Sequence, residues 1–337
     1  MAIAVLLSPD GRVRAVWRFL VAAALFLLSQ VGVSQLLRPD TLFSWWSAAA
    51  FALVLLLDIA IFAALSRTFD RATHPLAYMG FSRDVPVVRL IVVGFVYGAA
   101  LVSVAVLAMA IGGSTTFSWR MTVPMLQAAG IQLVVFPIAA LNEEVAFRGY
   151  PFQRMVEVMG AVPAVTVLSI LFAAGHLANP NSTVLAAFNT AAVGALLAAA
   201  YLTTRALWLP WGLHWGWNLM LAVGYGLSVS GFDTAGPVDG STAGPEWLTG
   251  GAYGIEGGAS GTIAIVVGFA LLAWLVRQPA LVGTPAPPPS AYVAVPVATT
   301  GESGPPSSSA EPPSSSAEPP SSSAEPPFSS AEPPSKT

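Results

Sequence analysis

Residues 131–150 read IQLVVFPIAALNEEVAFRGY, an uncharged run fit for hydrocarbon that ends in two adjacent carboxylates, Glu143 and Glu144, and an arginine, Arg148. The setting is apolar throughout. Of the 337 residues, 55% are hydrophobic and 9% charged, against about 25% charged in a typical soluble domain. Apolar runs of about 20 residues recur along most of the length, enough to cross hydrocarbon as helices. Lipid demands a backbone whose polar groups are satisfied internally, so the chain reads as an all-α, polytopic membrane protein. The net charge of −3 comes without a basic cluster, so no nucleic-acid partner is expected. The absence of cysteine excludes disulfides, thiolate metal sites and a cysteine nucleophile.

Eight spans are predicted, at 17–37, 46–66, 89–111, 122–147, 162–179, 184–204, 206–228 and 261–276. The first lacks a small-residue cleavage site and is read as retained. Arg12, Arg14, Arg18, Arg67, Arg71, Arg83, Arg89, Arg148, Arg154, Arg205 and Arg277 then fall on one side, and only Arg38 and Arg120 on the other. The positive-inside bias places both termini in the cytoplasm of a cell-membrane protein. The segment 229–260, with Asp233, Asp239, Glu246 and Glu256, faces outward. The transmembrane domain is assigned to residues 1–277, with its working part at about 120–230. From 278 onward Pro, Ser and Ala dominate, and SSSAEPP repeats at 307–313, 314–320 and 321–327. That composition predicts a disordered tail, a spacer or a docking segment for a proline-motif-binding partner.

Ionisable groups at membrane depth are costly, so each is a functional candidate. They are Asp58, Glu143, Glu144, Arg148, His176 and His214; His74 lies in a polar connection. Four residues apart on a helix, Glu144 and Arg148 share a face in the favourable order. Glu143 points about 100° away, free of that pairing and therefore the better base. A capping ion pair at a helix end would explain this motif taken alone. The fifth span carries His176, and the seventh carries His214 and Asn218 one turn apart. Singly, these are packing residues or helix–helix glue. Together they supply a carboxylate base, an imidazole and donors for an oxyanion, the inventory for activating water.

EEVAFR at 143–148, FAAGH at 172–176 and HWGWN at 214–218 fit the patterns EExxxR, FxxxH and HxxxN in that order on separate spans. In this the chain resembles the CPBP family of intramembrane proteases, which includes the CAAX prenyl endopeptidases of Rce1 type and bacterial Abi and bacteriocin-immunity relatives. The resemblance covers about 120–230. It implies an endopeptidase acting on a membrane-associated peptide or protein. Glu143 would activate water with His176, Glu144 and Arg148 would support the site, and His214 and Asn218 would stabilise the oxyanion. Zn²⁺ held by His176, His214 and Glu143 or Glu144 is the metal-dependent variant, although HExxH is absent.

One difficulty is geometric. Counted from residue 162 at ~1.5 Å per residue, His176 lies ~21 Å from the inner face, whereas Glu143 lies near it. They meet only if the fourth helix runs on past its motif or if residues 149–163 re-enter, for which Gly149, Pro151, Gly160 and Pro163 offer breaks. The rival classes are a transporter with a Glu/His proton relay, for which no internal repeat is found, and a non-catalytic scaffold. GASG at 258–261 is similar to a rhomboid serine motif, but no histidine follows His214, and the surrounding glycines read as a flexible outer loop. Asp58 is expected to face the bundle. Trp208, Trp211, Trp215 and Trp217 are expected to anchor the seventh helix at the interface or line the cavity.

Overall fold

The computed structural model describes residues 6–8, 12–37 and 42–294. Its long helices are α1 (Ala15–Leu37), α2 (Trp45–Asp70), α3 (Val87–Ile111), α4 (Val123–Arg148), α5 (Tyr150–Met159), α6 (Ala161–His176), α7 (Val184–Thr204), α8 (Trp208–Leu219) and α9 (Ala259–Leu275). Two short strands, β1 (Thr115–Trp119) and β2 (Val238–Thr242), pair antiparallel. Each predicted span contains a helix, and among the described residues five helices are long and apolar enough to cross a membrane. The α6 and α9 helices are shorter apolar helices. The predicted span 206–228 is α-helical only to Leu219 and then widens into a π-helical turn, Met220–Gly224. Large apolar side chains stand outward on the long helices, with Ile111 81% and Val184 90% exposed. Patches of that kind suit lipid rather than water. The chain is a multi-pass membrane protein.

Local chemistry sets the helix ends. Ser44 and Ser47 form a reciprocal capping box at the start of α2. The Thr183 hydroxyl accepts from the Ala186 N–H at 3.1 Å at the start of α7. Pro137 interrupts the backbone ladder of α4 shortly before the glutamates.

Helices α3 and α8 approach each other most closely, through glycines at four-residue spacing on both: Gly94 and Gly98, Gly212 and Gly216. A Cβ on Gly98 would stand 2.0 Å from the Leu213 carbonyl oxygen, and one on Gly216 would stand 2.2 Å from that of Phe95. Backbone therefore lies on backbone, and α8 is held in fixed register with His214 on its opposite face.

A second set of contacts was not anticipated. Arg18 and Arg154, read from sequence as loop charges that fix orientation, are buried. Both pair with buried Asp70, and both reach Glu157, at 2.6 and 2.8 Å. Tyr150 donates to Asp70 at 2.8 Å. This closed cluster of two cations and two anions ties α1 and α2 to α5. It meets the rule that buried charges must be paired.

The tail does not begin at 278. Residues 279–294 lie back across the connections at 71–84 and 204–205: Ala286 N–H donates to the Thr204 carbonyl at 2.9 Å. Tyr292 donates to Asp84 at 2.7 Å, and its carbonyl accepts from Thr73 N–H at 2.8 Å. The SSSAEPP repeats lie outside the described residues.

Candidate active site

The end of α4 presents the two glutamates to different surroundings. Glu144 is fully buried and Arg148 nearly so. Arg148 Nη1 lies 3.1 Å from Glu144 Oε1, its Nη2 donates to the Gly194 carbonyl of α7 at 2.9 Å, and its guanidinium lies 4.8 Å from the Phe172 ring centre. The pairing expected from the four-residue spacing is present, and α7 and α6 supply the rest of the cage. The Glu143 side chain is 34% exposed. Its Oε2 has no hydrogen-bond partner among the described residues.

The two histidines are held by different groups. His176 Nδ1 lies 2.8 Å from the Phe172 carbonyl oxygen. A carbonyl only accepts, so Nδ1 carries the proton and Nε2 presents its lone pair. His214 Nδ1 lies 2.9 Å from Glu144 Oε1, which by the same reasoning makes it a donor to that carboxylate. His214 Nε2 then faces Glu143 Oε2 at 3.7 Å. That separation is too long for a direct hydrogen bond and fits a bridging water.

The depth problem resolves along the chain. Helix α5 follows α4 after the single residue Gly149 and carries the chain on past the motif, and α6 returns after Gly160. Gly160 stands close to midway in sequence between Glu143 and His176. As a result Phe147 of α4 and Phe172 of α6 pack edge to face at 5.1 Å. Glu143, His176, His214 and Asn218 all line one cavity of about 310 Å³. His176, His214 and Asn218 also line a smaller pocket of about 30 Å³ behind it.

Several residues at the site were missed from sequence. Glu256, in the glycine-rich segment 229–260, accepts from Trp217 Nε1 at 2.8 Å, from Ser230 N–H at 2.5 Å and from the Ser230 hydroxyl at 3.1 Å. It reaches the wall of the smaller pocket. Within that segment the backbone packs closely: a Cβ on Gly254, at φ 95°, would stand 2.8 Å from the Ser228 carbonyl oxygen. The one hint was an acid amid glycines. Close by, burial first and the charge of Glu256 second push the Tyr253 phenol up to about 12, so Tyr253 stays neutral. Ser260 of GASG is a buried hydroxyl donating to the Leu248 carbonyl at 2.7 Å, with no histidine near it in sequence. Of the four tryptophans, Trp217 lines the smaller pocket. Trp208 and Trp211 donate to the Ser82 and Pro137 carbonyls at 2.7 and 2.8 Å. His74 is exposed, as expected.

Among the described residues, no three His, Cys, Asp or Glu side chains converge closely enough to hold a metal ion. His214 Nδ1 is held by Glu144 and His176 Nδ1 by a carbonyl, which leaves the Nε2 atom of each ring as the one that faces a water, a substrate or a metal.

No curated protein matches the chain, and no solved structure does. Residues 125–220, which hold EEVAFR, FAAGH and HWGWN, match the model of the family described as type II CAAX prenyl endopeptidase Rce1-like, and by that match this segment of the chain is a domain of the CPBP family.

Proposed function

We propose that the protein is an intramembrane endopeptidase that hydrolyses a peptide bond of a membrane-associated peptide or protein. The observation that carries the reading is the convergence of Glu143, His176, His214 and Asn218, from three helices, on one cavity inside the Rce1-like segment. An apolar core gains nothing by gathering these groups and leaving a carboxylate oxygen unpartnered, whereas water activation requires them.

In this reading a water between Glu143 and His176 Nε2 loses a proton to Glu143 as its oxygen attacks the scissile carbonyl carbon. The carbonyl becomes a tetrahedral oxyanion. Asn218 donates to it through its side-chain amide. His214 donates only when protonated at Nε2, because its Nδ1 proton is already given to Glu144. Glu144 thus orients the imidazole, and Arg148 holds Glu144 in place. As the carbon–nitrogen bond breaks, the proton held by Glu143 passes to the leaving amine. No step is routed through a metal. The arginines at the loops 67–89, with Arg205 and Arg277, support a reading in which the protein sits in the cell membrane with both termini cytoplasmic.

The test is cleavage of a fluorogenic peptide library by the detergent-solubilised protein, beside Glu143→Ala and His176→Ala and with and without chelator. Cleavage lost in both variants and kept in chelator supports the reading. Turnover surviving both substitutions overturns the site. Chelator sensitivity reversed by Zn²⁺ overturns the metal-free step.

A further inference from the structure

Asp58 of α2 is fully buried and has no cation beside it among the described residues. It accepts from three neutral donors instead: the Ser29 hydroxyl at 2.6 Å, Gln30 Nε2 at 3.2 Å and Asn142 Nδ2 at 3.2 Å. Gln30 Nε2 also lies 3.4 Å from Asn142 Oδ1. Ser29 and Gln30 belong to α1, and Asn142 directly precedes Glu143 on α4. Both carboxamides line the large cavity. Of these groups, Asp58, Ser29 and Gln30 lie outside the matched segment 125–220.

An ionised carboxylate is acceptor-only, so it dictates which end of a carboxamide faces it. Asp58 draws the NH₂ groups of Gln30 and Asn142 inward. The Gln30 NH₂ then has both hydrogens engaged, one on Asp58 and one on Asn142 Oδ1. Its Oε1 must turn the other way, and among the described residues no donor engages that oxygen. It is also absent from the buried atoms that lack a partner, which leaves it facing open space at a half-buried position on the cavity wall. The result is a fixed acceptor beside the base, in an otherwise phenylalanine-rich wall. A carboxylate without a counterion at this depth is costly, and orienting that acceptor gives it a use.

We infer that Gln30 Oε1 is a subsite accepting a main-chain N–H of a peptide bound in extended form, with Asp58 and Asn142 as its positioning residues. This rests on the reading of the cavity as the place where a peptide binds. Main-chain N–H is the donor every peptide carries, so the subsite sets the register of the chain against Glu143 rather than selecting a side chain.

The test measures binding rather than turnover. Fluorescence anisotropy would compare a fluorescein-labelled leucine–alanine octapeptide with analogues N-methylated at one peptide nitrogen at a time, on the Glu143→Gln protein. N-methylation at one position should weaken binding about tenfold, the loss of one buried hydrogen bond. In Gln30→Met, which keeps the side-chain length at a half-buried position, that difference should fall below twofold. Asp58→Asn should do the same through loss of orientation, and Gln30→Met decides alone should Asp58→Asn not fold. A flat N-methyl scan, including no binding of any peptide, overturns the subsite, as does a positional effect unchanged in Gln30→Met. Library cleavage with a flat scan sinks the subsite and leaves the hydrolase. A positional effect without cleavage keeps the subsite and sinks the hydrolase.

Discussion

His214 stands between two adjacent glutamates, with Nδ1 2.9 Å from Glu144 Oε1 and Nε2 3.7 Å from Glu143 Oε2. Neighbours in sequence thus do different work on one imidazole. Glu144, neutralised by Arg148, fixes the ring and its tautomer. Glu143 remains free to meet water on the other side.

The two glutamates should therefore fail differently. Glu144→Gln leaves Arg148 buried without a counterion and should cost about 3–5 kcal/mol, the usual result of breaking a buried pair from one side. Glu143→Gln should remove activity while leaving thermal unfolding within a few degrees of the parent. Unfolding of both variants in one detergent, followed by tryptophan fluorescence, checks this; equal loss of stability would contradict the assigned split.

The glycine crossing makes a prediction about distance. In Gly98→Ala the new methyl would meet the Leu213 carbonyl oxygen, adjacent to His214, and α8 must move aside. A displacement of about 1 Å at a catalytic group costs on the order of 100-fold in rate. Gly130→Ala on α4, where a Cβ meets nothing within 4 Å, should be silent. Comparison of kcat/KM for the pair decides.

At the opposite end, Asp70→Asn leaves Arg18 and Arg154 with Glu157 alone, and should cost about 3–5 kcal/mol. Asp239→Asn breaks an ion pair with Arg120 in which the side chains are 44% and 62% exposed, and should cost less than about 1 kcal/mol. Thermal midpoints of the two variants would separate a buried network from a surface contact.

Glu256→Ala strands the Trp217 indole N–H and the Ser230 backbone N–H. Each unsatisfied buried donor costs about 1–3 kcal/mol, so residues 228–232 should exchange amide hydrogen faster while α7 stays protected. Unchanged exchange at Ser230 would show that other groups hold this segment.

How much of this was readable beforehand depends on how far apart the partners lie in the chain. The Glu144–Arg148 pair was legible because a helix places such residues together whatever surrounds it. The glycines of α3 and α8 were visible as spacing, yet their meaning needed the partner helix that each one touches. Arg18 and Arg154 resembled loop charges because nothing local indicates that Asp70 lies between them. Residues 279–294 share the Pro- and Ala-rich composition of the tail, and it is contacts with distant residues, such as Tyr292 with Asp84, 208 residues earlier, and Ala286 with Thr204, that keep them on the core.

The sequence by itself determined that this is a helical membrane protein with a carboxylate, two imidazoles and an amide on three segments, because hydrophobicity and helical spacing are local properties. The tertiary structure decided that His214 rather than His176 lies directly between the glutamates, that Glu256 lines the site, and that Asp58 holds two carboxamides of the cavity wall. Those relationships come from how the helices cross and where the glycine-rich segment folds back. Such packing is a balance of contacts between distant residues, and no stretch of sequence carries it alone.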